Sequence, residues 1–495
     1  MKAIPILFAA LALAAVRAGG ADGSPADRAP VRLLLEVRGE AEAMAAYERL
    51  GIPVVVGFGP EQRDFRDFSV SRNLAYFAYG TFPGHLADIR TLSPEDRDAF
   101  LALYADGNWT GGPETPEGFR TFSAPSGAFT DYVAEVGGKW VASSDPGVLR
   151  EALALLPSLP VTLPAEGVLA CRVSGADLAS TANSRNAARV RENLATLTAG
   201  LGLDGDTAAF HALAESLPGS GMASALGACG PVPAAAACVN LHGAFGFYVQ
   251  GAGSPVMRGK EAAHGFAVAV YPPVGPARMP TPRVLAYIGD PGGEEQARTR
   301  RETAAALHTE STTYRGIPVD EVPAASAAVL MRAAACACGV PEDAAALMPG
   351  ASVRFAWLPA GDLMAVNDEG GALLHAAIDA ALDGTAIPFA APPAFPAADG
   401  PVPALAHLDL AVLAPMLPVQ LPFAVPAPCP VDLMARVLPG GTMEVRLRAP
   451  ADFVRNLAAA LQASLAPSKD GGHTLNLCIP IECQPAEPLP APAAP

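Results

Sequence analysis

Asp131-Tyr-Val-Ala-Glu-Val136, Gly137-Gly138, Lys139-Trp-Val-Ala-Ser143, Ser144-Asp145-Pro146 and then Gly147 to Leu156 form the stretch that decides the fold. It reads as a strand, a tight turn, a second strand, a cap and an amphipathic helix. Gly-Gly admits the positive φ angles that a short hairpin turn requires. Ser144 or Asp145 satisfies free N–H groups at the helix start, and Pro146, which has no N–H, loses nothing at the first helical position. Val148, Leu149, Ala152, Leu153 and Leu156 then fall on one helical face.

The plan returns in the second half of the chain. Val353-Arg-Phe-Ala-Trp-Leu358 is a strand, Pro359-Ala-Gly361 a turn, Asp362-Leu-Met-Ala-Val366 a strand, Asn367-Asp368 a cap and Gly370 to Leu382 a helix. Gly138, Ala142 and Asp145 align with Gly361, Ala365 and Asp368 at one constant offset. Downstream, Val168 to Leu178 matches Pro403 to Leu413; upstream, Arg72-Asn-Leu-Ala-Tyr76 matches Arg283-Val-Leu-Ala-Tyr287. A looser third copy runs from Asp432 to Leu465 through Pro439-Gly-Gly441.

These matches predict an α+β fold of tandem repeated modules, each an antiparallel sheet with helices packed on one face. Pro272 to Pro282 supplies the boundary, giving modules over residues 30–272 and 280–483, the second carrying a C-terminal hairpin–helix. Other segments follow from local signals. Ser93-Pro94-Glu95-Asp96 starts a helix through Tyr104, Asn183 to Leu201 is expected to be helical, and Phe245 to Gln250 and His264 to Tyr271 are expected strands. Pro388 to Pro403 and Leu417 to Pro430 read as loops.

The order strand, turn, strand, Ser/Asn-Asp cap and helix, together with Tyr314-Arg-Gly-Ile-Pro-Val319, resembles large exported bacterial proteins of unknown function built from tandem α+β hairpin–helix modules with a recurring Tyr-x-Gly-x-Pro-Val segment. The resemblance spans the two repeat halves. It implies no activity and carries no catalytic residue across.

The ends of the chain bear on its compartment. Met1-Lys2, the uncharged run Ala3 to Val16 and the small residues Ala18-Gly-Gly-Ala21 have the layout of a signal peptide over residues 1–21, too short to span a bilayer comfortably. The first cysteine is Cys171, so a lipoprotein anchor at the cleavage point is excluded. Ala324 to Val340 is apolar but interrupted by Arg332, and it reads as an Ala-rich buried helix. The mature chain is therefore expected to be secreted or periplasmic, without a transmembrane segment. Residues 484–495, from Gln484 to Pro495, carry proline at a density that forbids helix and ladder pairing and form an expected disordered tail.

Composition narrows the function classes. A net charge of −16, with basic residues scattered, opposes nucleic-acid binding, which needs a basic patch. The densest basic cluster, Arg298 to Arg301, follows Glu294 and Glu295 on an expected helix, where i,i+4 pairing is its plainer use. Of eight cysteines, Cys229 with Cys238 and Cys478 with Cys483 can close short loops, while Cys171, Cys336, Cys338 and Cys429 pair at longer range or stay as buried thiols.

No chemical signature emerges. The eight histidines (His85, His211, His242, His264, His308, His375, His407 and His473) show no His-x-x-x-His or His-x-His spacing. Ser126 and Ser220 lack the second glycine of a hydrolase elbow, and Ser-x-x-Lys is absent. Gly251 to Lys260 has the wrong glycine spacing for a phosphate loop and Glu261 where a Ser or Thr belongs. Catalytic, cofactor-binding and metal residues are all expected to be none. The expectation is a non-catalytic structural, interaction or ligand-binding module, with an envelope protein or a small apolar ligand as partner. A carrier of apolar ligands requires a cavity lined by Leu, Val and Phe; the alternative, a secreted hydrolase with a dispersed active site, requires a pocket with several perturbed titratable groups.

Overall fold

The computed structural model describes residues 31–51, 63–82, 85–181, 184–253, 264–274, 281–289, 293–337, 352–389, 395, 403–416, 421 and 423–465. The signal-peptide segment, the tail, residues 254–263 and the side chains of Cys336, Cys338, Cys478, Cys483 and His473 lie outside them.

The strands are β1 (Val31–Val37), β2 (Tyr76–Phe82), β3 (Leu86–Thr91), β4 (Thr110–Gly111), β5 (Arg120–Ser123), β6 (Thr130–Val136), β7 (Lys139–Ser143), β8 (Leu169–Ser174), β9 (Leu194–Asp204), β10 (Thr207–Ser216), β11 (Gly246–Gln250), β12 (Phe266–Tyr271), β13 (Arg283–Gly289), β14 (Glu310–Tyr314), β15 (Ile317–Val322), β16 (Val353–Leu358), β17 (Gly361–Val366), β18 (Ala404–Asp409), β19 (Pro430–Leu438) and β20 (Thr442–Pro450). The α-helices are α1 (Glu40–Arg49), α2 (Arg63–Ser71), α3 (Pro94–Asp106), α4 (Pro146–Leu155), α5 (Gly175–Thr181), α6 (Ser184–Asn193), α7 (Gly221–Gly227), α8 (Gly293–Leu307), α9 (Ala324–Ala337), α10 (Ala372–Asp383), α11 (Leu410–Leu413) and α12 (Ala451–Leu465).

The decisive stretch forms as its residues dictate. β6 and β7 pair across Gly137 (φ 59°) and Gly138 (φ 76°), and the Asp145 carboxylate accepts from the N–H groups of Gly147 at 2.6 Å and Val148 at 3.0 Å to start α4. In the second half β16 and β17 pair in the same way, and Asp368 accepts from Leu373 N at 3.1 Å and Leu374 N at 2.8 Å ahead of α10.

Strand pairing follows one scheme twice. The first ten strands lie in the order β4-β5-β6-β7-β3-β2-β1-β8-β9-β10, each antiparallel to its neighbour. The last ten repeat it as β14-β15-β16-β17-β13-β12-β11-β18-β19-β20. β10 pairs with β20, so the two series join at their final strands in one antiparallel sheet of 20. The helix after each final strand crosses the seam: α12 packs on β10 and α1, and α7 on β20.

The α+β class and antiparallel hairpins are as expected. The helices, however, cover both faces. Alternate residues of a strand point oppositely. Leu35 and Val37 join α1 in one core while Leu34 joins Leu155, Leu159 and Leu163 in another. In the second series Leu363 and Ala365 pack with α10, and Met364 and Val366 with Ala327 and Leu330 of α9. A sheet this large has two apolar faces to bury, and hairpin patterning alone does not reveal the second. α9 itself buries one side, with Ala327 inaccessible and Val329 66% exposed.

Residue-level alignment of the halves also needs correction. Ala142 packs toward α3 and Ala365 toward α10, on opposite faces, so the constant offset is one residue out of step. A slip of one residue flips every side chain to the other face. Gly138 serves the turn, whereas Gly361 opens β17 because a Cβ there would lie 2.5 Å from the Tyr287 ring. Tyr76 begins β2, while Tyr287 lies inside β13, the counterpart of β3, so that match is accidental. Residues 194–201, expected in a helix, belong to the 11-residue strand β9; only 184–193 are helical. The supposed third copy, β19–β20–α12, is the counterpart of β9–β10–α7. Pro272 to Pro282, expected as a boundary, falls between β12 and β13, which pair at six positions.

Tyr314 to Val319 forms the β14–β15 turn, with Arg315 at φ 47° and Gly316 at φ 82°. It is pinned to α10: the Tyr314 hydroxyl donates to Asp379 at 3.0 Å, Arg315 bonds Asp379 and Asp383 at 2.8 Å, and the Tyr314 ring stacks on His375 at 3.9 Å.

Candidate functional site

One row of directly paired residues crosses the middle of the sheet: Glu36–Ala170–Gly200–His211–Arg446–Met434–Leu405–Val249. The seam lies at His211–Arg446. Each residue to one side has its counterpart at the same distance on the other, and all eight face the side that carries α4 and α10.

At the Val249 end the row is the floor of a cleft of about 1000 Å³. Its described lining includes Pro231 to Ala235, Ala237 and Cys238 on one wall and Ala380, Ala381, Leu382 and Phe389 on the other, with the β16–β17 turn at Leu358 to Ala360 closing one side. Proline and alanine shape these walls. Pro233 precedes a 3-10 turn at Ala234–Val239, and α10 ends where Gly384 takes φ 65°, turning the chain to Pro388 and Phe389. Ala380 and Ala381, with no side chain beyond Cβ, leave the space open. The floor residues Val249, Leu405 and Met434 are 0–5% exposed. Cys238 is the one titratable residue in the described lining, and burial pushes its thiol up to about 12, so it stays protonated.

One step along the same strands, on the same face, stand Phe247, His407 and Asp432. His407 Nδ1 meets Asp432 Oδ1 at 2.6 Å, and this hydrogen bond to the carboxylate, more than the opposing effect of burial, raises the imidazole above its ordinary range. Phe247 links this pair to the cleft: its ring lies 5.9 Å from His407 and 5.1 Å from Phe389.

At the Glu36 end the same row is covered by the chain itself. The Glu36 carboxylate accepts from Thr162 Oγ1 at 2.7 Å and Leu163 N at 2.9 Å. Arg38 donates to the carbonyls of Leu163 at 2.7 Å, Ala165 at 2.6 Å and Gly167 at 2.9 Å. Gly200 permits the closest approach, since a Cβ there would lie 1.9 Å from the Glu166 carbonyl oxygen.

Between the two ends sits a buried charged cluster. The Glu166 N–H donates to His211 Nδ1 at 2.8 Å, which places the ring proton on Nε2, 2.8 Å from Glu444 Oε1. Burial, then Arg446, lowers the His211 pKa. Burial opposes ionisation of Glu444, but hydrogen bonds and charge from Arg436 and Arg446 outweigh it and lower its pKa. Arg446 also forks onto Glu166 at 2.6 and 2.7 Å. The cluster ties covering segment, β10, β19 and β20 together, which is a structural task.

The remaining polar residues singled out in the sequence are engaged locally. Ser220 caps α7 through Ala223 N at 3.1 Å, Ser126 accepts from Ala128 N at 3.1 Å, and His85 meets Ser144 at 3.0 Å in an exposed position. Cys171, Cys238 and Cys429 are buried free thiols, so the Cys229–Cys238 loop is not closed. Arg298 pairs with Glu295 at 3.5 Å and Glu302 at 3.8 Å, the helical pairing expected of it. Among the described residues no group of three or more His, Cys, Asp or Glu is placed to hold a metal, and no helix is long and apolar enough to cross a membrane. Sequence reasoning missed Val249, Leu405, Met434, His407 and Asp432 as one surface. The signal available was their alternation on three strands, which gains meaning only when the strands are known to be neighbours.

No protein-family model matches the chain, and no curated protein does. Among solved structures, crystal form IV of TP0453 aligns at 11% sequence identity over 38% of this chain and 81% of that one, with a TM-score of 0.24. A likeness of that size carries no argument about fold or function.

Proposed function

We propose that this is an exported, non-catalytic binding protein of the tandem α+β hairpin–helix type, and that its second series holds a small apolar ligand. The observation that carries the reading is the cleft of about 1000 Å³ floored by Val249, Leu405 and Met434. Ligand sites commonly measure about 300–1,000 Å³ and are lined mainly by apolar side chains. The hydrophobic effect would drive occupancy, at roughly 25 cal/mol for each Å² of apolar surface removed from water. Chemistry on a substrate would need titratable groups in the cleft, and the described lining offers one inert thiol. The signal-peptide layout of residues 1–21 supports export to the periplasm or outside the cell.

The test is binding of the apolar fluorophore N-phenyl-1-naphthylamine to the full mature chain. Saturable binding that Ala381→Trp weakens supports the cleft; absence of saturable binding, or binding unchanged in that variant, overturns it. N-terminal sequencing of the exported protein tests cleavage after the signal segment.

A further inference from the structure

The cleft is apolar along its described lining, yet the row of the sheet beside it is not. Phe247, His407 and Asp432 occupy the next positions on the three floor strands, pointing to the same side as Val249, Leu405 and Met434. The spacing is two residues, about 7 Å at the strand rise, so one molecule lying along the floor reaches both rows. Phe389 belongs to both surroundings, lining the cleft and packing on Phe247. His407 and Asp432 are part-exposed, at 35% and 16% of their side-chain surface.

From this juxtaposition we infer that the ligand is a single-chain amphiphile with an uncharged hydroxyl head group, its tail in the cleft between Ala381 and Phe389 and its head at His407–Asp432. The inference rests on the cleft being the binding site. His407 uses Nδ1 for Asp432, which leaves Nε2–H to donate, while the second Asp432 oxygen can accept. A hydroxyl does both at once: it accepts from the imidazole and donates to the carboxylate. A carboxylate head accepts but brings a third negative charge beside Asp432 and Asp409. An ammonium head donates but has nothing to offer Nε2–H. Asp409 is itself committed, capping α11 through Ala411 N at 3.0 Å, and Arg448, the cross-strand neighbour of Asp432, is held by Asp204 at 2.8 Å. Neither is left to neutralise a charged head. The first series has Arg172 and Thr198 at the counterparts of His407 and Asp432, so the pair belongs to the half with the cleft.

The experiment compares 1-dodecanol, dodecanoate and dodecylammonium as displacers of N-phenyl-1-naphthylamine from the full mature chain. Dodecanol is expected to displace about tenfold more effectively than either charged homologue. His407→Phe, which keeps a ring beside Phe247, and Asp432→Asn are each expected to erase that preference while leaving the fluorophore bound and the melting temperature within a few degrees. Equal displacement by all three, preference for a charged head, or a preference that survives both variants overturns the head-group assignment and leaves the cleft standing. Loss of fluorophore binding in the unmodified protein overturns the cleft itself.

Discussion

Gly200, Ala170 and Glu36 on one side of the seam answer to Met434, Leu405 and Val249 on the other. The strands are paired alike; one trio is covered by residues 162–167, and the other, among the described residues, lines a cleft. Side-chain size and polarity account for the difference. Glycine and alanine let backbone settle directly on the sheet, and a carboxylate at Glu36 gives that backbone an acceptor for its N–H groups. Methionine, leucine and valine offer a backbone no such acceptor and instead share an apolar cluster with Cys238 and Phe395. Repeating a topology therefore does not repeat a surface: at three matched positions one copy has a glycine, an alanine and a carboxylate and the other has only larger apolar side chains.

The comparison breaks most readily at Gly200. Installing its counterpart as Gly200→Met drives a side chain into the Glu166 backbone, which is expected to cost about 3 kcal/mol or more in urea unfolding; a cost of well under 1 kcal/mol would show that the roof is not seated there. Next, Glu36→Val leaves Leu163 N–H and the Thr162 hydroxyl without the carboxylate that accepts from them, with an expected loss of about 2 kcal/mol and faster proteolysis near residues 160–167. On the cleft side, Ala381→Trp should weaken fluorophore binding by about tenfold or more, equivalent to about 1.4 kcal/mol, with stability little changed. Smaller still, Asp145→Ala removes the acceptor for Gly147 N and Val148 N and should cost about 1 kcal/mol, measured by thermal or urea unfolding.

The smallest effects are the most discriminating, because the two histidines titrate in opposite senses. His211 is neutral in the fold, its pKa lowered from 6.5 by burial and Arg446. The unfolded chain takes up this proton first, so stability falls as pH drops through 6.5 and down to the lowered folded value. A protonated His211 also loses the acceptor that receives the Glu166 N–H. His407, raised from 6.5 by the Asp432 hydrogen bond, contributes stability below 6.5 that is lost as pH rises through its raised folded value. His211→Gln, whose amide can still accept from Glu166 and donate to Glu444, should flatten the acid-side loss. His407→Gln should remove the opposite slope. Identical pH profiles for both variants would refute the assignment of either environment.

Much of the fold was legible because its signals are local. Gly137-Gly138, the Asp145 cap with Pro146 behind it and the apolar spacing of α4 each act within a few residues, and each was read correctly. The strands at Gly246–Gln250, Phe266–Tyr271 and Pro430–Leu438 announced themselves by β-branched and aromatic content or by flanking turn residues. β9 did not. Leu-Ala-Thr-Leu-Thr-Ala-Gly-Leu-Gly-Leu lacks a helix-breaking proline and alternates weakly, and its strand state is imposed by β8 and β10 on either side. The candidate site was illegible for the same reason: its parts, Pro231, Val249, Ala381, Leu405 and Met434, come from distant stretches of the chain.

The sequence by itself determined most element types, the hairpins, the caps and the recurrence of a plan, since turns and helix ends are settled by nearest-neighbour sterics and hydrogen bonding. Only tertiary structure decided the pairing of β10 with β20, the face each strand presents and the contrast between the row under residues 162–167 and the row that lines the cleft. A one-residue change of register reverses a strand's faces while leaving its local signals intact, so nothing short of the assembled sheet could place Gly200 beneath a backbone and Met434 beneath a cleft.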